Sequence, residues 1–441
     1  MKNYIYQFGL MFLVLLVSCA ELDEPQPRNS IATEFAINNF ASASAAMNGV
    51  YSDLQDGTLA FDGFLGLAQL FSDETVFTGT FPTRLEFGNL NVFPANGTMA
   101  AVFSDLYEVI NRANNVIALV PGVEDVSMTD AVKNNFVAQA RFIRGHMYLH
   151  LVTLWQEVPL ITSPTTDVGE VLNVPKSSVS DIYNLIIEDF NYAKANSTET
   201  SSNKATAQAA TAFLARVALY QQNWSQALSL AEEALGGIDV STVPYLEDQI
   251  YSLSFSPTDG NSLAFFYGPA ELGGRHSIEP SPFLINSFEP GDARFPFTIE
   301  LNFASVPFGL KYPSFAAANA GAATDPIFFI RHAEMTLIAS EAAAEMGDFD
   351  KASTYINQVR SRAGLSPVTL NGGNYVDVIL AERFVEFALE GPFRLIDLRR
   401  RGQAELFLGP IGYDSCDGVW PLPVREIDRN PNLVQAACCN C

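Results

Sequence analysis

The sequence predicts a mainly α-helical protein built partly from helical hairpins, and three observations predict it. Apolar residues recur at three- and four-residue steps over long stretches, the period of one helix face. Residues 207–235 and 334–362 read as two copies of one helix–turn–helix unit with alanine faces. Between the helical tracts, residues 53–100 and 236–326 break into irregular sequence rich in Gly, Pro, Thr and Phe. Both exceed ordinary loop lengths, and loops of that kind usually carry function.

The elements follow in order. Residues 35–54 carry Ala, Ile, Phe, Met and Val at helical spacing. Residues 99–120 set Val102, Leu106, Val109, Ile110, Ala113 and Ile117 on one face. Residues 130–154 form a strong helix with Phe136, Ala140, Ile143, Met147 and Leu151, and Pro159 closes the segment after it. Ser180-Asp181 opens the next helix, with Ile182, Leu185, Ile186 and Phe190 inside. In the first hairpin a helix ends near Tyr220, turns through residues 221–224, and resumes with Ala227, Ala231 and Ala234. In the second, Ala339 and Ala342 precede a Gly347-Asp348-Phe349 turn, and Ala352 and Ile356 follow. Small residues let paired helices approach closely, and a Trp or Phe after the turn plugs the gap. That is the physical content of a tetratricopeptide-type pair. Unrelated hairpins with alanine faces are the alternative.

The amino end reads as an address. A short basic start, an apolar run from Phe8 to Val17 and the sequence Leu16-Val17-Ser18-Cys19 have the anatomy of an export signal. The run is too short to span a bilayer, which takes about 20 apolar residues. Leu-Val-Ser-Cys resembles the bacterial lipobox, which implies cleavage after Ser18 and lipidation of Cys19; an ordinary secretory peptide with a chance cysteine is the alternative. Residues 19–30 then form a lipidated acidic tether, and acidic residues at this place resemble the surface-export signal of Bacteroidota lipoproteins. A plain solvated linker would have the same composition.

The chain holds 25 Lys and Arg against 49 Asp and Glu, a formal charge of −24. That balance argues against nucleic acid and anionic lipid surfaces as partners. Apart from Cys19, the cysteines are Cys416, Cys438, Cys439 and Cys441. In an oxidising exterior they favour disulfides, with Cys416 paired to one tail cysteine. Cys-Cys-Asn-Cys is too tight for a usual zinc knuckle, so no metal and no cofactor is expected.

Several constellations carry two readings. Glu382, Glu386 and Glu390 share a helix face, where like charges repel by a few tenths of a kcal/mol per pair. Arg383, Arg394, Arg399 and Arg400 lie close enough in sequence to compensate them, so a structural network with Asp397 is expected. A pair of catalytic carboxylates is the other reading. His146 and His150 stand at i and i+4, but their apolar flanks and the missing glutamate favour core histidines over metal ligands. In the irregular stretches Phe77, Phe81, Arg84, Glu86, Asn89 and Phe93 cluster in one, and Phe265, Phe266, Tyr267, Arg275 and His276 in the other. Flat rings beside forked or amide donors suit a sugar, with its apolar faces and polar edges. The dominance of Phe over Trp and Tyr leaves a more apolar or peptidic ligand open. The first choices for contacts are Arg84, Asn89, Phe266 and Tyr267, then Phe81, Phe93, Arg275 and His276. Alanine at the first four is expected to weaken binding and leave the thermal midpoint nearly intact.

Ala140-Arg141-Phe142-Ile143-Arg144-Gly145-His146 with Val158-Pro159-Leu160-Ile161 resembles the amino-terminal signature of the SusD/RagB family. The resemblance continues at Asn111-Arg112-Ala113-Asn114-Asn115, Gly291-Asp292-Ala293-Arg294-Phe295 and Phe329-Ile330-Arg331-His332-Ala333-Glu334. It is strongest over Glu382–Glu386 and Glu390–Arg400, and closes at Pro421-Leu422-Pro423 and Glu426–Leu433. His332 stands where the family more often has tyrosine, and the Cys-rich tail is a further departure. The resemblance implies tetratricopeptide-like pairs packed against a loop-rich ligand face, with a signal peptide at 1–18, an amino-terminal part at 31–235 and a carboxy-terminal part at 236–441 that carries the 236–326 insertion. It also implies a non-catalytic, outward-facing lipoprotein of the outer membrane. Such a protein captures oligosaccharides or peptides and passes them to a SusC-like TonB-dependent transporter beneath a hinged lid. A surface scaffold that binds proteins through its helical pairs competes with that reading.

Overall fold

A computed structural model describes residues 36–165, 169, 172–303 and 306–437. The leader, Cys19, the tether and Cys438, Cys439 and Cys441 lie outside the described residues. The longer helices are α1 (Phe40–Asp53), α2 (Gly97–Leu119), α3 (Asp130–Trp155), α4 (Val179–Asn196), α5 (Ala207–Tyr220) and α6 (Trp224–Leu235). They continue with α7 (His332–Glu345), α8 (Phe349–Arg362), α9 (Tyr375–Glu386) and α10 (Phe393–Arg400). The chain is mainly helical, as the apolar periods predict.

Helix starts follow the capping residues. Thr129, Ser178, Thr206, Asn223 and Asp348 each accept an N–H of the first turn of α3, α4, α5, α6 and α8, bonds typically worth about 1 kcal/mol. From α2 to α8 each helix packs on the next in a continuous array. The two hairpins stand side by side: α6 packs on α7 although residues 236–331 run between them. The seams hold small residues, with Ala209, Ala212, Ala227, Ala231, Ala339 and Ala342 all buried. The Ser340 hydroxyl donates to the Ala352 carbonyl at 2.8 Å, and Tyr355 reaches from α8 to Glu232 of α6 at 2.7 Å.

α3 is the central member, buried almost all round from Phe136 onward. Arg144, from the amino-terminal signature, fixes its neighbours: Nε and Nη2 donate to Asp189 of α4 at 2.8 Å, and Nη1 to Asn114 of α2 at 2.9 Å. At the end of α3, Trp155 donates to the Pro421 carbonyl at 3.0 Å, which seats the Pro421-Leu422-Pro423 segment there.

The strands form three two-stranded antiparallel ribbons. β2 (Tyr251–Leu253) pairs with β6 (Ile327–Ile330) and closes the insertion where it leaves and rejoins the array. β4 (Ile299–Glu300) pairs with β5 (Phe308–Gly309). The third, β1 (Thr75–Phe77) with β3 (Ile278–Pro280), joins the two irregular stretches directly, register Thr75 to Pro280 and Phe77 to Ile278.

One expectation is corrected here. The first half of the 53–100 stretch is not surface loop: residues 59–75 are buried, and Thr58–Gly66 is a π-helix continuing into an α-turn at Leu67–Leu70. Hydrogen bonds from i to i+5 widen the turn, so its apolar residues do not recur at α-helical steps. Gly63 eases the packing there, since a Cβ would stand 2.7 Å from the Leu59 Cδ1 and that side chain would have to shift.

Candidate ligand site at the seam of the two irregular stretches

The π-helix and the insertion meet around a cavity of about 450 Å³. Asp56, Phe61 and Asp62 line it from one side, Asn261, Ser262 and Phe266 from the other, and Arg84 reaches in from the Pro82–Gly88 helix. Gly260 lets the insertion fold tightly here: a Cβ would lie 2.5 Å from the Gly321 carbonyl oxygen.

The centre of the site is a stack. Phe61 and Phe266 lie face to face, centroids 3.9 Å apart at 15°. The Arg84 guanidinium sits over Phe61, Phe81 and Phe266 at 5.1, 5.1 and 4.8 Å. Its Nε and Nη2 donate to the two Asp62 carboxylate oxygens at 2.7 and 2.8 Å. Burial raises the Asp62 carboxyl above its ordinary range, and the hydrogen bonds and charge of Arg84 pull against it. Asn261 is spent on the loop itself: its amide donates to the Asp325 carbonyl at 2.9 Å and its oxygen accepts from Leu263 N–H at 3.1 Å. Flat rings, a forked cation with Nη1 unbonded among the described residues, a carboxylate and a serine hydroxyl face one space. That inventory can hold a ligand with apolar faces and polar edges.

The candidates from sequence divide. Arg84 and Phe266 line this cavity. Phe81 is exposed beside it, and Arg275 stacks on Phe81 at 4.4 Å. Half-buried His276 places Nε2 2.9 Å from the Pro307 carbonyl and 3.5 Å from Glu279. Phe93 is exposed further off, its N–H donating to Glu86 at 3.2 Å. Asn89 lines a different cavity, of about 290 Å³, shared with Phe71, Asp414, Cys416 and Trp420. Tyr267 is corrected: only 1% exposed, it donates to Gln69 at 2.7 Å and is a core residue. Arg84 is corrected in part, since an alanine there strands a buried carboxylate and cannot be neutral for stability. Sequence reasoning missed Phe61 and Asp62. The signal was present: Asp62 is the lone charge in the apolar run 59–66.

Glu382, Glu386 and Glu390 do form a buried network, but with arginines from elsewhere in the chain. Glu386 accepts from Arg294 at 3.0 Å and from Arg331 and Arg362 at 2.7 Å. Burial would raise its carboxyl, yet the three guanidiniums overcome this and hold it at about 2. Glu382 takes Arg294 and Arg360; Glu390 takes Arg331 and Lys311. The nearby arginines point away: Arg383 and Arg400 bond Asp397, Arg394 bonds Asp73, and Arg399 donates to the Asp417 carbonyl. His146 and His150 are buried among Phe64, Phe213 and Phe329. They are core histidines, and His146 Nδ1 and His150 Nε2 have no hydrogen-bond partner among the described residues. Among the described residues no group of three or more metal-ligating side chains occurs. Cys416 is disulfide-bonded.

Comparison with known proteins agrees with this architecture. Residues 307–415 match the model of the SusD family, and residues 84–219 match a family described as starch-binding associating with outer membrane. SusD-like protein P2 of Formosa agariphila is 26% identical, covering 98% of this chain and 99% of that protein. Among solved structures, a laminarin binding SusD-like protein superposes with TM-score 0.79 at 23% identity, covering 91% of this chain and all of that one. Surface glycan-binding protein A from Bacteroides fluxus gives TM-score 0.76 at 20% identity over 91% of this chain. The two structures are named for binding, one of laminarin and the other of surface glycan. The two matched family models and the relatives along the whole chain support the SusD/RagB-like family.

Proposed function

We propose that this chain is a surface-exposed, lipid-anchored binding protein that captures oligosaccharides and delivers them to a TonB-dependent transporter of the outer membrane. Lipidation at Cys19 supplies the anchor, and among the described residues no helix is long and apolar enough to cross a membrane. The observation that carries the reading is the cavity where the Phe61–Phe266 stack and Arg84 meet, set between the two irregular stretches of a fold shared with glycan-binding neighbours. A glycan is favoured over a peptide because the cavity pairs aromatic rings with hydroxyl, carboxylate and guanidinium groups. The disulfide of Cys416 is assigned to a tail cysteine, which clamps the carboxyl end to the body.

Oligosaccharide-array binding followed by calorimetry on the strongest binder tests the reading. Affinity should fall about tenfold or more, some 1.4 kcal/mol, when Ser262→Tyr fills the cavity. Absence of binding to every arrayed glycan contradicts it. Cys19→Ala should release the protein from washed membranes; retention there contradicts the anchor.

A further inference from the structure

We infer that this cavity selects by charge, accepting neutral or amine-bearing glycans and excluding those with carboxylates or sulfates, with Asp56 as the discriminating residue. The inference rests on the glycan-binding reading of the cavity. Three charged side chains line the space: Asp56, Asp62 and Arg84. The cation is already taken. Arg84 is bound at both Nε and Nη2 by Asp62, and its faces are covered by phenyl rings. Its remaining Nη1 can donate to a neutral oxygen but brings no unbalanced charge. Asp56 has no such cation. Its Oδ1 accepts the Thr58 and Leu59 N–H groups at 2.9 and 3.4 Å, while Oδ2 is bonded to nothing among the described residues.

The wall behind Asp56 adds to the sign. Asp53 and Glu108 share Arg112, at 2.6 and 2.8 Å, and Asp105 stands beside them. Burial first, and the charges of Asp56, Glu108 and Asp53 after it, together push the carboxyl of Asp105 up to about 6. Four carboxylates thus share one arginine, and of the four Asp56 is the one that lines the cavity. An anionic sugar entering there meets like charge at an exposed carboxylate, which repels at contact distance even in water. A protonated amine gains from the same field. Selectivity of this kind comes from repulsion of the wrong ligand as much as from attraction of the right one.

The test uses the full mature chain on an array of maltohexaose, laminarihexaose, xylohexaose and a chitosan hexamer beside galacturonate, alginate and heparin hexasaccharides at low ionic strength. Signal confined to the neutral and amine-bearing set is the expected result. Equal or stronger signal on the uronates or sulfates overturns the inference and leaves glycan binding standing. Silence on every spot removes the glycan reading itself, and the inference with it. Asp56 is exposed, so Asp56→Asn should fold like the parent. It should raise the anionic signals relative to the neutral ones about fivefold, the scale of one like-charge contact in water. An unchanged ratio in that variant removes Asp56 from the role.

Discussion

The helical array and the loop-rich face solve the same problem, burying polar backbone, in different ways. In the array the backbone bonds itself, alanines set helix spacing, and buried charges are paired across helices, as in Arg144–Asp189 and Arg216–Glu334. On the face, the chain is held by side chains. A guanidinium between phenyl rings, a π-helix and a three-residue ribbon do what regular elements do elsewhere. Between the two lies the Arg294–Glu386–Arg331 network, which ties the insertion to α9. The difference teaches where function can reside. The array tolerates few changes because each packs on two neighbours, while the face exposes groups whose bonding is incomplete.

The largest effect should come at the junction. Glu386→Ala leaves Arg294, Arg331 and Arg362 facing one another in a buried space, so it should cost about 3–5 kcal/mol, read by urea denaturation. A loss below about 1 kcal/mol would mean that the network is solvated and the insertion is held by other contacts. Within the array, Phe213→Ala opens a void among Phe142, Phe190 and His146 and should cost about 3–5 kcal/mol without touching ligand affinity. On the face, Arg84→Ala should cost about 1–3 kcal/mol through the stranded Asp62. The Asp62→Ala/Arg84→Ala double variant should lose less than the two single changes added together.

Acid and base should separate the regions. Burial holds His150, in α3, at about 4, below its ordinary 6.5. The folded chain therefore binds fewer protons there than the unfolded chain, and stability falls as pH drops from about 6.5 toward 4, by at most about 1.4 kcal/mol per unit. Burial raises Glu74, just before β1, to about 8, against a hydrogen bond from Leu389 N–H. Its contribution has the opposite sign: complete below about 4.5 and lost as pH rises through 8. His150→Gln should flatten the acid limb alone and Glu74→Gln the alkaline limb alone. Either variant flattening both limbs would contradict the separation. The smallest effect belongs to Asn89→Ala, which should leave glycan affinity unchanged because Asn89 lines the other cavity.

The array was legible in sequence because its apolar residues keep the α-helical period and its turns carry Asn223, Gly347 and Asp348. The face was legible only as composition. A π-helix has no period that a helix or strand pattern detects, so residues 58–66 read as broken sequence although they are buried. Arg84 and Phe266 were found because a guanidinium and a ring in loops are uncommon companions. Tyr267 was misassigned for the same reason, since adjacent residues on a helix point about 100° apart and Tyr267 turns into the core. The partners of Glu386 come from Arg294, Arg331 and Arg362, whose approach depends on tertiary folding and leaves no trace in local spacing.

The central claim is that ligand sits on the face and not along the array. Hydrogen–deuterium exchange with and without the strongest-binding arrayed glycan tests it most directly. Added protection is expected in peptides covering residues 55–66, 81–90 and 260–277, and none in 207–235 or 349–362. Protection concentrated in the two hairpins, with the π-helix unchanged, would contradict it.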